Sequence, residues 1–247
     1  MSEILKTESV VLSKLNYGDT SLIVSLFTKE MGKISAILKG ARSPKSKIGM
    51  KIDPINYVEV VFYNKDTRDL QIISSADLLE HYSKIKEDLE KLKYAYSVIE
   101  LVKNLTPEHE QNVRLFNGIV RILSLFESSG DSPNLIFARF FLFFLHEIGY
   151  EVQLEKCMSC GLTDLDGLQL SYNFSTGLLC DRCKSDYLES FAINLELFNC
   201  LKGLKTNKKL LERVNSQIVD RAIFFMEKYL MYHLSDFKGI QSLKLFK

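Results

Sequence analysis

Four cysteines stand in two pairs, "CMSC" and "CDRC": Cys157-x2-Cys160, nineteen intervening residues, then Cys180-x2-Cys183. A C-x2-C pair closes a tight knuckle that turns two sulfurs the same way, and two knuckles complete a tetrahedron around one soft metal ion. Zinc is the expected ion, in a structural role, because four sulfurs leave no open position for a reacting water. A redox reading requires one exposed pair beside a thioredoxin-like βαβ unit; here there are two pairs and no such unit. Residues 157–187 hold Asp164, Asp166, Asp181 and Asp186 against Arg182 and Lys184. With a doubly negative tetrathiolate added, this insert is anionic and reads as a folding device, not a phosphate binder. Cys200 lies in the apolar stretch "LELFNCLKGL" and is expected to pack in a core.

The second chemical pattern is cationic. "AILKGARSPKSKIGM", residues 36–50, carries Lys39, Arg42, Lys45 and Lys47 among glycine, serine and proline, with no carboxylate. The 247-residue chain has a net charge of only +1, yet residues 29–51 hold seven Lys/Arg against Glu30 alone. Residues 202–247 hold ten basic side chains against four acidic ones, which leaves residues 52–201 at −10. Two basic islands around an acidic middle suit a polyanionic partner, nucleic acid first; the plainer reading makes each a solvated face. Lys33 and Lys51 extend the first island, and Lys202, Lys205, Lys208, Lys209 and Arg213 form a candidate second patch. Tyr17, Tyr57 and Tyr63 offer rings on which bases could stack, although tyrosine on a strand serves as half-buried packing just as often.

No catalytic constellation accompanies these patterns. "MGKIS" lacks the upstream glycine and the Ser/Thr after lysine that a phosphate loop needs. No H-x-E precedes the cysteines, and His81, His109, His146 and His233 are scattered, so the expectation is a binding protein, not an enzyme. The opening "MSEILKTESV" has no apolar signal core, and "FFLFFL" at 140–145 is far short of a membrane span. A soluble, cytoplasmic protein is expected.

The elements that must position these groups follow from periodicity. "SLIVSLFT" (21–28) and "KISAILKG" (33–40) alternate with a period of two, and "NYVEVVFYN" (56–64) and "LQIISS" (70–75) form a further pair. With "TESVVLSKL" these make five short strands, which close most economically into an OB-like barrel, or failing that an SH3-like one. Helical spacing takes over from Ile85 and runs through Leu89–Val102, Val113–Leu123 and Leu135–Ile148, then resumes at 194–203 and 210–234. The expected class is α+β: an OB-fold β-barrel over 1–80, a helical body over 81–151 and 188–247, and an inserted four-cysteine zinc ribbon over 152–187.

"VVLSKLNYGDTSLIVSLFTKEMGKISAILKGARSPKSKIG", "FARFFLFFLHEIGY" leading into "CMSCG", and "FSTGLLCDRC" together resemble the RecO family of bacterial recombination mediators over nearly the whole chain. The closing "DFKGIQSLKLF" matches the family's basic tail only loosely. The resemblance implies an OB-fold DNA-binding domain, a helical body and a zinc ribbon. It also implies binding of single- and double-stranded DNA, annealing of complementary strands, and no chemical step. Partners implied are RecR, the acidic C-terminal tail of the single-strand-binding protein SSB, and RecA as the protein loaded. Arg114, Arg121 and Arg139, near Phe116, Phe140 and Phe141, are candidate SSB-tail contacts on the helical body. The rival classes are a zinc-ribbon RNA-binding or transcription-associated factor and a thiol redox enzyme.

Overall fold

Side-chain alternation builds the first unit. The computed structural model describes residues 3–65, 67–165, 167–187, 190–206 and 214–245. Strands β1 (Glu3–Tyr17), β2 (Ser21–Thr28), β3 (Gly32–Leu38), β4 (Tyr57–Asn64) and β5 (Gln71–Glu80) close into a barrel in the order β1-β2-β3-β5-β4. All pairings are antiparallel except β3 with β5, where Ala36 faces Gln71 and Ile37 faces Ile72. This is the five-stranded Greek-key barrel of the OB class. Every second residue points inward: Leu22, Val24 and Leu26 from β2, Ile34, Ala36 and Leu38 from β3, and Val58, Val60 and Phe62 from β4 share one buried cluster.

Closure depends on the length of β1. Its first half, Glu3 to Val10, pairs with β4, and its second half, Ser9 to Tyr17, pairs with β2. The register slips between Val11 and Ser13, the bulge that lets one strand bend across two neighbours. Between β3 and β4 the cationic segment ends in a single helical turn, α1 (Ile48–Lys51), which the sequence pattern does not anticipate.

Helices α2 (Ser83–Glu87), α3 (Leu89–Leu105) and α4 (Val113–Ser128) complete the first unit. Asp88 accepts from the Glu90 and Lys91 amides and Asn112 from that of Leu115, so both longer helices start on side-chain caps. The chain returns to this unit at its end, where the Glu100 carboxylate accepts from the Gln241 amide (2.7 Å), the Ser242 amide (2.8 Å) and the Ser242 hydroxyl (2.6 Å). The second unit, Asp131–Gly239, holds α5 (Pro133–Glu147), α6 (Leu195–Thr206), α7 (Ser216–His233) and a three-stranded sheet. That sheet orders β7 (Gly177–Leu179), β6 (Leu170–Asn173) and β8 (Phe191–Ile193) with β6 at its centre. The two units, Met1–Gly130 with Ile240–Lys247 and Asp131–Gly239, cut the chain at different places from the four segments expected from sequence. Of the helix expected over 210–234, residues 210–213 lie outside the described residues.

Two glycines on the cationic segment give a test of its packing. A Cβ on Gly49 would lie 2.2 Å from the Ala41 carbonyl oxygen, whereas one on Gly40, at φ +69°, meets open space. Gly40→Ala therefore costs only its left-handed backbone, about 1 kcal/mol. Gly49→Ala forces the segment apart and costs more, in the range of about 1–3 kcal/mol typical of overpacking. Thermal denaturation of the two variants checks the order; equal losses would contradict the close approach of Gly49 to Ala41.

Candidate metal centre and nucleic-acid interface

The two cysteine knuckles are built by short-range main-chain bonds. The Cys157 amide donates to the Leu162 carbonyl (2.8 Å) and the Gly161 amide to that of Cys157 (2.8 Å); in the second knuckle the Cys183 amide donates to the Cys180 carbonyl (3.1 Å). A tight hairpin joins β6 to β7, where Asn173 Oδ1 accepts from the Ser175 (3.0 Å) and Thr176 (2.9 Å) amides. The Met158 amide then donates to the Leu178 carbonyl (2.8 Å), which fastens the first knuckle to the strand carrying the second.

As a result the four Sγ atoms of Cys157, Cys160, Cys180 and Cys183 lie within 4.8 Å of one another, with Cys160 and Cys180 at 3.8 Å. A tetrahedron with metal–sulfur bonds of about 2.3 Å has edges of about 3.8 Å, so this donor set fits one metal ion. The protonation energetics agree. Burial opposes an anion at Cys157, but the amides of Cys160, Cys180 and Ser159 outweigh it and hold this thiol at about 6. At Cys183 the Ser159 hydroxyl favours the anion, yet desolvation and the three neighbouring sulfurs push it up to about 12. Four sulfurs this close are stable together as thiolates only around a cation. Apolar packing is slight here: Cys157, Leu179 and Cys180 form the buried cluster, with Leu168, Cys183 and Tyr187 against it. Cys200 is buried on α6, as expected, and burial pushes its thiol up to about 11.

The cationic segment is displayed on the barrel. Lys39, Arg42, Lys45 and Lys47 are all exposed. Arg42 ties the segment to the β1–β2 turn, its amide donating to the Thr20 carbonyl (2.8 Å) and its guanidinium to that of Gly18 (3.1 Å). That turn begins at Tyr17, which is 53% exposed, so an open ring and four cations belong to neighbouring loops. The role of the Gly18 and Thr20 carbonyls carried no signal in the sequence, because main-chain acceptors have no residue signature.

Two expected phosphate ligands are otherwise engaged. Lys33 is buried; its ammonium donates to the Lys103 carbonyl (2.7 Å) and pairs with Glu108 (3.5 Å). Lys51 donates to the Ala76 carbonyl (2.8 Å) and to Asp77 (2.8 Å). Among the tyrosines, Tyr63 is exposed and pairs across the strands with exposed Ile4. Tyr57 is half-buried, with its ring 6.3 Å from that of Phe116, and burial and the Glu8 carboxylate raise its phenol pKa. Tyr57 is a packing residue.

The second basic patch is only partly drawn together. Lys202 is exposed, its ammonium 5.2 Å from the Phe198 ring centre. Lys205 is neutralised by Glu151 (2.8 Å) and Glu155 (2.6 Å), while Lys208, Lys209 and Arg213 lie outside the described residues. Arg114 and Arg121 are exposed on α4 in the first unit, and Arg139 is half-buried on α5 in the second. Phe116, Phe140 and Phe141 are buried in cores and present no surface to a peptide. Among the described residues, no helix is long and apolar enough to cross a membrane.

An OB-class barrel with helices, followed by helices that carry a four-cysteine ribbon, defines the class of protein. Comparison with known sequences is more specific. The family model described as "Recombination protein O N terminal" matches residues 1–82, and "Recombination protein O C terminal" matches residues 86–239. The DNA repair protein RecO of Alkaliphilus metalliredigens is 32% identical over 254 residues, covering 99% of both chains. That of Chlorobium limicola is 36% identical over 158 residues, 64% of this chain and 60% of the relative. That of Salinibacter ruber is 39% identical over 120 residues, 49% of this chain and 46% of the relative. The chain belongs to the RecO family, and this membership supports a role in DNA repair and recombination.

The metal centre yields a direct prediction. Cys180→Ser removes one ligand and should release the ion, loosen the ribbon to limited proteolysis within residues 157–187, and leave the barrel unit folded. Elemental analysis and peptide mapping of the cleaved protein read this out. An intact, protease-resistant ribbon in Cys180→Ser would contradict a metal-dependent fold.

Proposed function

We propose that the chain is a non-enzymatic mediator of DNA repair and recombination that binds single- and double-stranded DNA and anneals complementary strands. With RecR it helps RecA load onto single strands coated by SSB. Zinc is the ion held by Cys157, Cys160, Cys180 and Cys183, and it keeps the ribbon folded; the mediator acts in the cytoplasm. The observation that carries the reading is the group of four exposed cations, Lys39, Arg42, Lys45 and Lys47, tied through Arg42 to the turn beside exposed Tyr17. A flexible polyanion is held by lysine and arginine tracking its phosphates while aromatic rings take its bases. The same cations let two strands approach, because each phosphate contact displaces condensed counterions and screens the repulsion between backbones. Ser43 and Ser46 add hydroxyl donors between the cations. The fit of the SSB tail to Arg114 and Arg121 belongs to this reading, as does a RecR surface on the chain.

Replacing Lys39, Arg42, Lys45 and Lys47 together with Ala tests it. Each exposed substitution should shift stability by less than about 0.5 kcal/mol, so folding and zinc content should hold. For single strands the wild-type log–log salt slope is expected near −3, and each lost contact flattens it by roughly 0.7. Fluorescence anisotropy across a salt series measures both. Wild-type affinity and slope in the quadruple variant would show the segment to be merely solvated.

A further inference from the structure

Among the described residues, helix α7 carries an exposed stripe that no core or ion pair uses. Arg221, Phe224, Lys228 and Tyr232 are all exposed, at spacings of three, four and four residues. At 100° per residue they fall within an arc of roughly 80° on one side of the helix. The order is cation, ring, cation, ring. Phe224 is 49% exposed and Tyr232 53%, and the Lys228 ammonium stands 5.3 Å from the Phe224 ring centre. The ribbon adds a third ring beside them. Phe191 on β8 is 45% exposed and stacks on Phe174 (6.4 Å, 18°), and Phe174 in turn lies 5.7 Å from Tyr232. Toward the other end, Arg221 and Lys184 line an open groove of about 590 Å³ beside the same strand.

Of the α7 carboxylates, Asp220 is exposed one turn before Phe224 and ends the stripe. Asp220 accepts from the Asn134 amide (2.9 Å), and Glu227 is half-buried on the same flank. Beyond Asp220, whose carboxylate is engaged by Asn134, the row from Phe224 to Tyr232 with Arg221 beside it is positive and aromatic. Three half-exposed rings within one small face are more than scattered surface apolar residues, and they mark a contact surface. A protein-binding face of this size would be expected to be apolar at its centre with charges at the rim; here the cations stand between the rings.

We propose that this face of α7, with Phe191, is a second contact surface for a single nucleic-acid strand, in which the rings stack on bases and Arg221 and Lys228 pair with phosphates. Phe224 and Tyr232 are roughly 12 Å apart along the helix axis, which spaces them for non-adjacent bases of an extended strand. Stacking of this kind is indifferent to base identity, since every base has a π-face. The inference rests on the DNA-binding reading above, and it gives the second unit its own strand while the barrel loop holds another.

Two paired variants of the full-length protein test it: Phe224→Ser with Tyr232→Ser, and Arg221→Gln with Lys228→Gln. The probes are a fluorescein-labelled oligothymidylate and a pair of complementary oligonucleotides, with the barrel-loop quadruple variant run in parallel. Because all four side chains are exposed, both variants should melt as wild type does. The ring variant should bind the second equivalent of strand about fivefold or more weakly per ring, with an unchanged salt slope. The cation variant should flatten that slope by roughly 1.4. Both should anneal at least tenfold more slowly while keeping the barrel-loop strand. Phe224→Tyr and Lys228→Arg should restore function, which a purely structural defect would not allow. Wild-type stoichiometry and annealing rate in both stripe variants, with the loop variant impaired, would overturn this inference alone and leave the stripe to a protein partner. Failure of the wild-type protein to bind DNA would instead overturn the function on which it rests.

Discussion

The first unit depends on one strand pairing in two directions. Ser9 and Val10 face Thr28 and Phe27 on one side and Val58 and Tyr57 on the other, so β1 is the seam at which the barrel closes. The same strand sets the base of the cationic segment. Val11 accepts from the Ile55 amide (2.9 Å) and donates to the Asn56 carbonyl (3.0 Å), while the turn after β1 holds Arg42. Both ends of residues 39–56 are thereby fixed to β1 or to the turn that follows it. Four like charges in a short stretch repel one another, and a loop free at its ends would spread them apart. Anchoring keeps the four cations together beside the β1–β2 turn, the density that the proposed phosphate contacts call for.

In the second unit apolar packing is slight around the four cysteines, while strand β6 packs Tyr172 on Phe225 (5.1 Å) and Tyr229 (6.0 Å) of α7. The ribbon's strands are four, three and three residues long, and the sulfurs themselves make up most of its buried cluster. The knuckles themselves bury little apolar surface to set against their chain entropy. An ion held there would add its binding free energy to the folding of the two knuckles, while β8 is placed by its pairing with β6, where Phe191 faces Tyr172.

Much of this was legible from residues. Period-two alternation located β2, β3 and β4 to within two residues, because the barrel buries one face of each strand. The cysteine spacing was sufficient to bring four sulfurs together, since a knuckle is a local structure. Long-range geometry was not legible. Lys33 reads as one more member of a basic island, and only the fold reveals that β3 carries it against the Lys103 carbonyl and Glu108. Tyr57 reads as a stacking candidate until Glu8 and Phe116 close around it. The stripe on α7 was hidden for a different reason: Phe224 and Tyr232 alternate with buried Phe225 and Tyr229, so composition alone does not separate the open rings from the packed ones.

The proposed function joins these parts: cations and rings on the two units bring two coated strands together. The most direct measurement is the rate at which complementary oligonucleotides, each saturated with single-strand-binding protein, form duplex when the zinc-loaded protein is added alone. Acceleration of at least tenfold over the coated strands by themselves is expected, indifferent to their sequence and progressively lost as salt is raised. An annealing rate unchanged by the protein at low salt, with zinc bound and the chain folded, would contradict it.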